Sequence, residues 1–229
     1  MRILYQDDYL VAVDKPPGLL VHRTGLDAGE TRFALQMLRD QLGRPVWPAH
    51  RLDKGTSGVL LFALDALTAR RLGQAFDATD QVRKTYLAVV RGWPAAEGWV
   101  NHPLRRMDDD ACAGRTEVQE AQTFYRMLAR YELPQPYSHF PTTRCALVEL
   151  QPLTGRRHQL RRHMKHLAHP IIGDATHGKG PLNRAVAELL GLQRLWLHAH
   201  RLELPHPTHG NTVQITCDCD ATWSRWPSG

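Results

Sequence analysis

An acidic residue placed among bases is the first candidate for chemistry in this chain. In AHRLDKGTSGVLLFAL, residues 49–64, Asp53 lies close to His50, Arg51 and Lys54 and is followed by an apolar run. Nearby positive charge favours the ionised form of a carboxyl group, and a tight turn would fix its direction. The pattern therefore indicates either a reacting carboxylate or a plain loop aspartate that binds the amides of its own turn.

A second candidate is the basic stretch TGRRHQLRRHMKHLAHP, residues 154–170. As a helix that opens at Thr154-Gly155, it displays Arg157, Arg161 and Lys165 at four-residue spacing, in one ridge of positive charge. Such a ridge suits phosphate groups, and arginine also forms bidentate pairs with a carboxylate. The alternative is a solvated helix face, but almost no acids are present to balance its charge.

Two other kinds of site are disfavoured by the same stretches. Four histidines follow one another in the basic stretch, at His158, His163, His166 and His169. No His-Glu-x-x-His pattern is present and the neighbouring cations would repel a metal ion, so we expect no metal site. A serine hydrolase is disfavoured because Ser57, in TSG, lacks the first glycine of the usual nucleophile elbow.

Tyr86 is the third candidate, in the alternating strand pattern RKTYLAVVRG. A single tyrosine in a strand is more often a packed core residue than a reacting one. Its interest depends on which other candidates share its surroundings.

Short strands and a few helices must position these residues. The strand patterns are an opening pair around an Asp-Asp turn, VLLFAL, KTYLAVVRGW, AQTFYRMLARYE, TTRCALVELQP, RLWLHAHRLEL and TVQITC. Helices are predicted from a Thr31 cap to Gly43, after an Asp65 cap, from Thr154 onward, and at ELLGL. Connections of hairpin length predict an α+β fold with a central mixed, mostly antiparallel sheet flanked by helices and loops, in a single domain over residues 1–229. Residues 101–120 read as a polar surface excursion.

Composition favours a polyanionic partner and a reducing compartment. The formal charge is +6 and the isoelectric point about 9.4. Four cysteines without a CxxC pair argue against a zinc ribbon or a disulfide framework. No signal-peptide pattern or long apolar run is present, so a cytoplasmic protein is expected.

Three blocks together resemble the signature motifs of the RluA-type pseudouridine synthases. They are HRLDKGTSG, RKTYLAVVRG and TGRRHQLRRHMKHLAHPIIGD, and the opening ILYQDDYLVAVDKPPGLLVH is similar to that family's first strands. The blocks stand in the family's order, and the similarity covers nearly the whole chain. We expect no S4-like domain ahead of the opening strands.

The resemblance implies specific roles for the candidate residues. It places the catalytic aspartate at Asp53, the active-site tyrosine at Tyr86 and the arginine that pairs with the aspartate at Arg161. Arg51 would help to occupy the gap left by a flipped base, and Leu160 would line the pocket. The residues expected to bind RNA or the base are His50, Arg51, Arg157, Leu160 and Lys165. Further backbone contacts are expected from Arg105, Arg106 and Lys179.

The implied activity is the isomerisation of uridine to pseudouridine in RNA, without metal or organic cofactor. Features outside the three blocks, including LVHRTGLD and FPTTRCALVELQP, resemble members that modify tRNA at position 65, in the acceptor stem. Two alternatives stay open: a synthase of the same family that acts on ribosomal RNA, and an RNA-binding module that has lost catalysis. We expect a monomer with no obligate protein partner and no membrane association.

Overall fold

The computed structural model describes residues 1–23, 29–78, 80–107, 117–137 and 139–227. The chain divides into two compact units. The first contains Met1–Lys84 and Ala199–Asp218, and the second contains Thr85–Met107, Arg115–His198 and Cys219–Gly229. Residues 108–116 of the predicted polar excursion, which include Cys112, and the stretch 24–27 of LVHRTGLD lie outside the described residues.

The first unit is built from strands with two helices beside them. Its elements are β1 (Arg2–Gln6), β2 (Leu10–Lys15), α1 (Ala34–Leu42), β3 (Trp47–Pro48), β4 (Ser57–Ala63), α2 (Ala66–Asp77), the part of β11 (Leu197–Pro205) from residue 199 onward, and β12 (Thr212–Thr216). β2 pairs antiparallel with both β1 and β4. β3 also pairs antiparallel with β4, and β12 with β11.

β4 is the buried strand that leads away from Asp53. All seven of its residues are buried, which explains why its sequence from Val59 onward is an unbroken apolar run instead of an alternating one. Val59 and Leu61 pack in one cluster with Leu72 of α2. The Asp65 carboxylate accepts the Thr68 N–H at 2.8 Å, so the predicted cap of α2 is confirmed.

The second unit is also a sheet with helices. It contains β5 (Arg83–Arg91) from residue 85 onward, β6 (Glu97–Asn101), β7 (Leu104–Arg105), β8 (Val118–Gln119), β9 (Gln122–Leu133), β10 (Thr143–Pro152), α3 (Gln159–His166), α4 (Gly180–Leu190) and a short 3-10 helix (Ala221–Arg225). β10 pairs antiparallel with β5 and β9, and β9 with β6. β7 and β8 form a separate two-stranded ribbon. These elements confirm the α+β class.

The two faces of the β5 and β10 strands bury different helices. On one face, Val90 and Val148 belong to a cluster with Leu160 and Met164 of α3. On the other face, a second cluster contains side chains of β5, β10 and α4 together with aromatic rings: Val89, Cys145, Leu182, Val186, Trp196 and Trp226. The odd and even residues of β5 and β10 thus serve opposite layers, as the period of a strand requires.

Two predicted helix starts are wrong. α1 begins at Ala34 with Phe33 at its N-cap, not with a Thr31 cap. α3 begins at Gln159, after His158 in the left-handed region at φ 54°, and not at Thr154. Arg157 therefore precedes the helix, and the predicted ridge of three basic residues on one helix face is not formed.

Within the described part of the chain, no helix has both the length and the apolar character needed to cross a bilayer.

Candidate active site

Asp53 lies in the first unit, in a tight turn between β3 and β4. Its carbonyl oxygen accepts the Thr56 N–H at 3.0 Å, which closes the turn. Leu52 and Thr56 are buried on either side, whereas Asp53 itself is partly buried. The predicted turn is confirmed, and its buried neighbours anchor the backbone from which the Asp53 carboxylate projects.

A buried lysine, which was not among the predicted site residues, supports this turn. Lys15, at the end of β2, is 0% exposed, and its ammonium donates to the carbonyl oxygens of Pro16, Leu19 and Lys54 at 3.0, 2.7 and 3.2 Å. The Lys54 carbonyl also accepts the Gly18 N–H at 2.8 Å. A buried cation needs such oxygen partners because desolvation is otherwise costly. Lys15 therefore ties the KPPG segment to the turn that carries Asp53.

His50 is held by packing and by a backbone hydrogen bond. Its Nε2 accepts the Leu61 N–H at 3.1 Å, and its ring stacks on Phe76 with centroids 5.0 Å apart. Burial, with a smaller contribution from the Lys84 charge, lowers the pKa of His50 to about 3. His50 is therefore neutral at physiological pH and supports β4. Its predicted contact with RNA stays a prediction.

Arg51 and Lys54 are the basic residues closest to Asp53 in the sequence, and both are exposed. Arg51 is exposed, and its predicted role beside a flipped base stays a prediction. The Lys54 ammonium lies 2.7 Å from a Glu30 carboxylate oxygen, in an exposed ion pair.

Gly58, in the TSG motif, is required by a close backbone approach. Its φ is +105°, and a Cβ at this position would lie 2.2 Å from the carbonyl oxygen of Ala199 in β11. Only glycine fits both the conformation and the space. The glycine of the TSG motif is thus explained by the close approach of β4 to β11.

Tyr86 and Leu160 lie in the second unit and share one apolar environment. Tyr86 is opposite Leu150 in the β5–β10 ladder and is partly buried. It packs against the cluster that contains Leu160 and Met164 of α3. The structure therefore brings the predicted tyrosine and the predicted pocket-lining leucine into the same layer.

Arg161 forms a buried bidentate ion pair with Asp174, a residue that the sequence analysis did not identify. Its Nε and Nη2 donate to the two Asp174 carboxylate oxygens at 2.8 and 2.7 Å. Arg161 is 8% exposed and Asp174 1%. Burial acts to raise the pKa of the Asp174 carboxyl, but the hydrogen bonds from Arg161, His177 and Thr176 outweigh it and hold this pKa below its ordinary value. The pair fixes the plane of the Arg161 guanidinium.

The loop that carries Asp174 is itself fixed by neighbouring backbone. Gly173 has φ +80°, and a Cβ there would lie 1.7 Å from the Arg194 carbonyl oxygen. The Asn183 side chain of α4 accepts the Gly173 N–H and donates to the Asp174 carbonyl, both at 2.9 Å. The GD dipeptide after PII was the available sequence signal for this partner of Arg161.

Gln159 anchors the start of α3. Its Oε1 accepts the Thr154 hydroxyl at 2.7 Å and the Arg156 N–H at 3.0 Å. Its Nε2 donates to the Gln122 carbonyl at 2.9 Å and to the Thr123 hydroxyl at 3.1 Å. One buried amide thus joins the TGRR loop, α3 and β9, and it explains why the helix begins at this residue.

The remaining predicted RNA-binding residues lie around α3. Arg157 is partly buried in the loop before the helix, and Lys165 is exposed on it. Arg162 donates to the Arg105 carbonyl at 2.9 Å, which joins the helix to β7. Contact of Arg157 and Lys165 with RNA stays a prediction.

The histidines of the basic stretch have protein partners. His163 Nε2 donates to the His102 carbonyl at 3.0 Å, so its Nδ1 accepts the Thr123 hydroxyl at 2.9 Å. His166 stacks on His102 with centroids 3.8 Å apart, and His169 Nδ1 lies 2.7 Å from the Arg91 carbonyl. These contacts give the histidines structural roles.

Comparison with known proteins adds the family to this geometry. Residues 9–166 match the family described as RNA pseudouridylate synthase. The tRNA pseudouridine synthase C of Vibrio vulnificus is 47% identical over 100% of this chain and 97% of its own length. That of Salmonella typhi is 49% identical over 98% of this chain and 88% of its own.

Solved structures agree with the sequence relatives. Human RNA pseudouridylate synthase domain containing 1 has a TM-score of 0.76 at 26% identity, covering 98% of this chain and 87% of that one. Human RNA pseudouridylate synthase domain containing 4 has a TM-score of 0.72 at 30% identity, covering 98% and 90%. The predicted fold, a mixed sheet with helices, is thereby confirmed. The chain belongs to the RNA pseudouridylate synthase family.

Proposed function

We propose that this chain isomerises uridine to pseudouridine in tRNA, at position 65, with Asp53 as the catalytic carboxylate and with no metal or organic cofactor. The observation that carries the proposal is that the family match over residues 9–166 includes Asp53, Tyr86 and Arg161. The full-length relatives named tRNA pseudouridine synthase C support tRNA as the substrate. The net charge of +6 suits a polyanion.

The reaction needs a carboxylate in a place that excludes water. The bond between ribose C1′ and N1 breaks, the uracil turns, and a bond forms between C1′ and C5. C5 loses a hydrogen and N1 gains one, so the mass is unchanged. An ionised Asp53 could begin by attacking the sugar, by attacking the base or by removing a sugar proton. All three routes require a carboxylate with a fixed direction, and the turn closed between Asp53 and Thr56 holds the backbone from which this side chain extends.

Arg161 is proposed to hold the reacting carboxylate in its ionised form. Asp174 accepts from Nε and Nη2 of its guanidinium, and arginine carries five N–H donors, so one arginine can serve two carboxylates. Arginine bound on both sides by acids has little freedom to reorient. In this proposal Asp174 positions Arg161, and Arg161 in turn offsets the desolvation of Asp53.

Tyr86 is proposed to stack on the uracil after it leaves the helical stack. A base inside a paired stem exposes neither C1′ nor C5, so the nucleotide must be flipped out. An aromatic ring gives such a base a surface to stack on and keeps it in place while it turns. Leu160, in the same apolar layer as Tyr86, would exclude water from that surface.

Pseudouridine mapping on unmodified transcripts tests substrate and reaction together. Purified protein is incubated with tRNA transcripts in EDTA, and pseudouridine is labelled chemically and read as reverse-transcription stops. A stop at position 65 is expected. Product on ribosomal RNA transcripts alone would keep the reaction and overturn the tRNA substrate. RNA binding without product on either would favour a silent RNA-binding module.

A further inference from the structure

A cavity in the second unit lies among residues that have no role in the proposed reaction. It has a volume of about 410 Å³ and lies where the loop between β9 and β10 meets the end of β5 and the start of α4. Its lining includes Arg91, Tyr137, Phe140, Arg144 and Leu182. We call it the β9–β10 cavity. Its volume falls within the range of roughly 300–1,000 Å³ that small-molecule sites occupy.

Two aromatic rings stand at this cavity, and one of them is largely exposed. Tyr137 and Phe140 are joined by a reciprocal pair of backbone hydrogen bonds, each 3.1 Å long. This bridge fixes the backbone under both rings, while Phe140 remains 67% exposed. A phenylalanine held in this way gains little from folding, but it offers a preorganised face for a planar ligand.

The charge beside these rings is positive. The Arg91 guanidinium lies 5.7 Å from the Tyr137 ring centre, and that of Arg144 lies 4.3 Å from the ring centre of Trp93. Arg130 lies 5.3 Å from the same indole ring. These stacks hold the guanidinium groups in place, and the Arg144 side chain is still 59% exposed.

The one acid in the cavity lining is already engaged. The Glu132 carboxylate accepts the Thr142 hydroxyl at 2.6 Å and lies 3.7 Å from the Arg144 guanidinium. Among the described residues at or beside the cavity, the arginines Arg91, Arg130 and Arg144 outnumber the single acid Glu132, so the surroundings favour an anion. Arginine in particular matches the geometry of a phosphate group.

We propose that the β9–β10 cavity binds one unstacked nucleotide of the RNA substrate, apart from the uridine that reacts. The base stacks on Phe140 beside Tyr137, and its phosphate is held by Arg91 and Arg144. A proline-rich peptide would also use the aromatic rings, but it would bring no phosphate group to Arg91 and Arg144. The inference rests on the proposed function only in taking RNA as the ligand.

Two variants probe the base and the phosphate separately. Phe140→Ala should weaken tRNA binding by about tenfold, the typical effect of losing one base stack, with an unchanged salt dependence. Arg144→Gln should weaken binding and reduce the slope of log K against log salt by about one, because one phosphate contact is lost. Phe140→Tyr keeps a ring and should restore the affinity. Thermal melting checks that each variant is folded.

Matched controls come from the same unit. Trp99 is 60% exposed on β6, and Arg126 is exposed on β9 in an ion pair with Glu149. Trp99→Ala and Arg126→Gln should leave both the affinity and the salt slope unchanged. If Trp99→Ala weakens binding as much as Phe140→Ala, or if Phe140→Ala has wild-type affinity, the cavity is not an RNA site.

Crosslinking and free nucleotides separate an RNA segment from a small metabolite. Ultraviolet crosslinking of bound tRNA, followed by mass spectrometry, should place a nucleotide on Tyr137 or Phe140. Uridine and adenosine monophosphate are titrated in parallel. Tight binding of a free monophosphate that depends on Phe140, with tRNA affinity unaffected, would overturn the RNA assignment. If both variants form pseudouridine and bind tRNA as the wild type does, the cavity is not an RNA site, but the proposed function stands. If tRNA binding depends on the cavity and no pseudouridine forms, the proposed function fails, but the cavity proposal stands.

Discussion

Asp174 is a buried residue that fixes the orientation of Arg161, one of the predicted site residues. Its bidentate pair with Arg161 is enclosed, and two backbone N–H groups complete the shell of its carboxylate. The family resemblance implies that Arg161 pairs with Asp53, and that pair stays a prediction. The structure shows a bidentate pair with Asp174, which fixes the plane of the Arg161 guanidinium.

Removal of Asp174 should be costly for stability. Asp174→Ala leaves the Arg161 charge buried without this partner, so we expect the free energy of unfolding to fall by about 3–5 kcal/mol. Urea unfolding at neutral pH measures it. Asp40→Ala, which breaks the exposed Arg39–Asp40 pair, is the control and should change stability by at most about 1 kcal/mol. Equal effects of the two substitutions would contradict a structural role for the buried pair.

The pH dependence of this contribution has a defined sign. The pKa of Asp174 is lower in the folded state than the unfolded value of about 3.9. Its stabilisation is therefore complete above that unfolded value and is lost as the pH falls through the folded one. The difference in stability between wild type and Asp174→Ala should shrink in acid.

His50 should contribute a separate acid sensitivity. Its pKa is about 3 when folded, against about 6.5 when unfolded, so the unfolded state binds the proton more readily. The stability due to neutral His50 is complete above about pH 6.5 and falls progressively as the pH drops toward about 3. His50→Gln should be less stable at pH 7, because the stack on Phe76 is lost, yet its stability should change less across this window. Urea unfolding at a series of pH values measures both. If stability falls with decreasing pH as steeply in His50→Gln as in the wild type, the lowered pKa of His50 is contradicted.

Among the elements, β4 depends on the absence of a side chain at Gly58. Gly58→Ala would combine a left-handed conformation with a clash against Ala199, and should cost roughly 2–6 kcal/mol or prevent folding. Gly73 is the control, since it lies within α2 and a Cβ there would meet nothing within 4 Å. Gly73→Ala should be neutral or stabilising by up to about 1 kcal/mol. Differential scanning calorimetry compares them, and a folded Gly58→Ala protein of wild-type stability would show that the close approach is not rigid.

Periodicity predicted the elements better than their ends. The strands around Asp53 and Tyr86 and the capped helix at Asp65 were predicted from apolar pattern and turn residues. The start of α1 was not, because its first N–H groups are satisfied by distant carbonyls: Ala34 and Leu35 donate to Leu20 and Val21 at 2.8 and 3.0 Å. A side-chain cap is not needed at this helix start. Hydrogen bonds to carbonyl groups so far away in the sequence cannot be predicted from the residues around the helix start.

The supporting residues of the site were missed for the same reason. Lys15 reads as a surface residue, because lysine is rarely fully buried, and the Lys54 carbonyl that it binds is far away in the chain. Asp174 and Gln159 likewise make contacts that depend on which loops the fold brings together. The residues proposed to react could be found by their motifs, whereas the residues that hold them could not.

Over the whole chain, composition and family agree on a nucleic-acid partner. The charge of +6 predicted a polyanion, and the relatives match nearly the full length of the chain at close to half identity. Each compact unit carries part of the proposed machinery, with Asp53 in the first and Tyr86 and Arg161 in the second. On the proposed assignments, activity requires residues of both units, and we expect neither unit alone to form pseudouridine.

The most direct measurement compares the wild-type and Asp53→Asn proteins on the same tRNA transcript. Pseudouridine at position 65 is quantified under single-turnover conditions, and tRNA affinity and thermal stability are measured in parallel. We expect product from the wild type, none from Asp53→Asn, and nearly equal affinity and stability, since the substitution removes only the charge of a partly buried side chain. Substantial product from Asp53→Asn would contradict the assignment of Asp53 as the catalytic carboxylate.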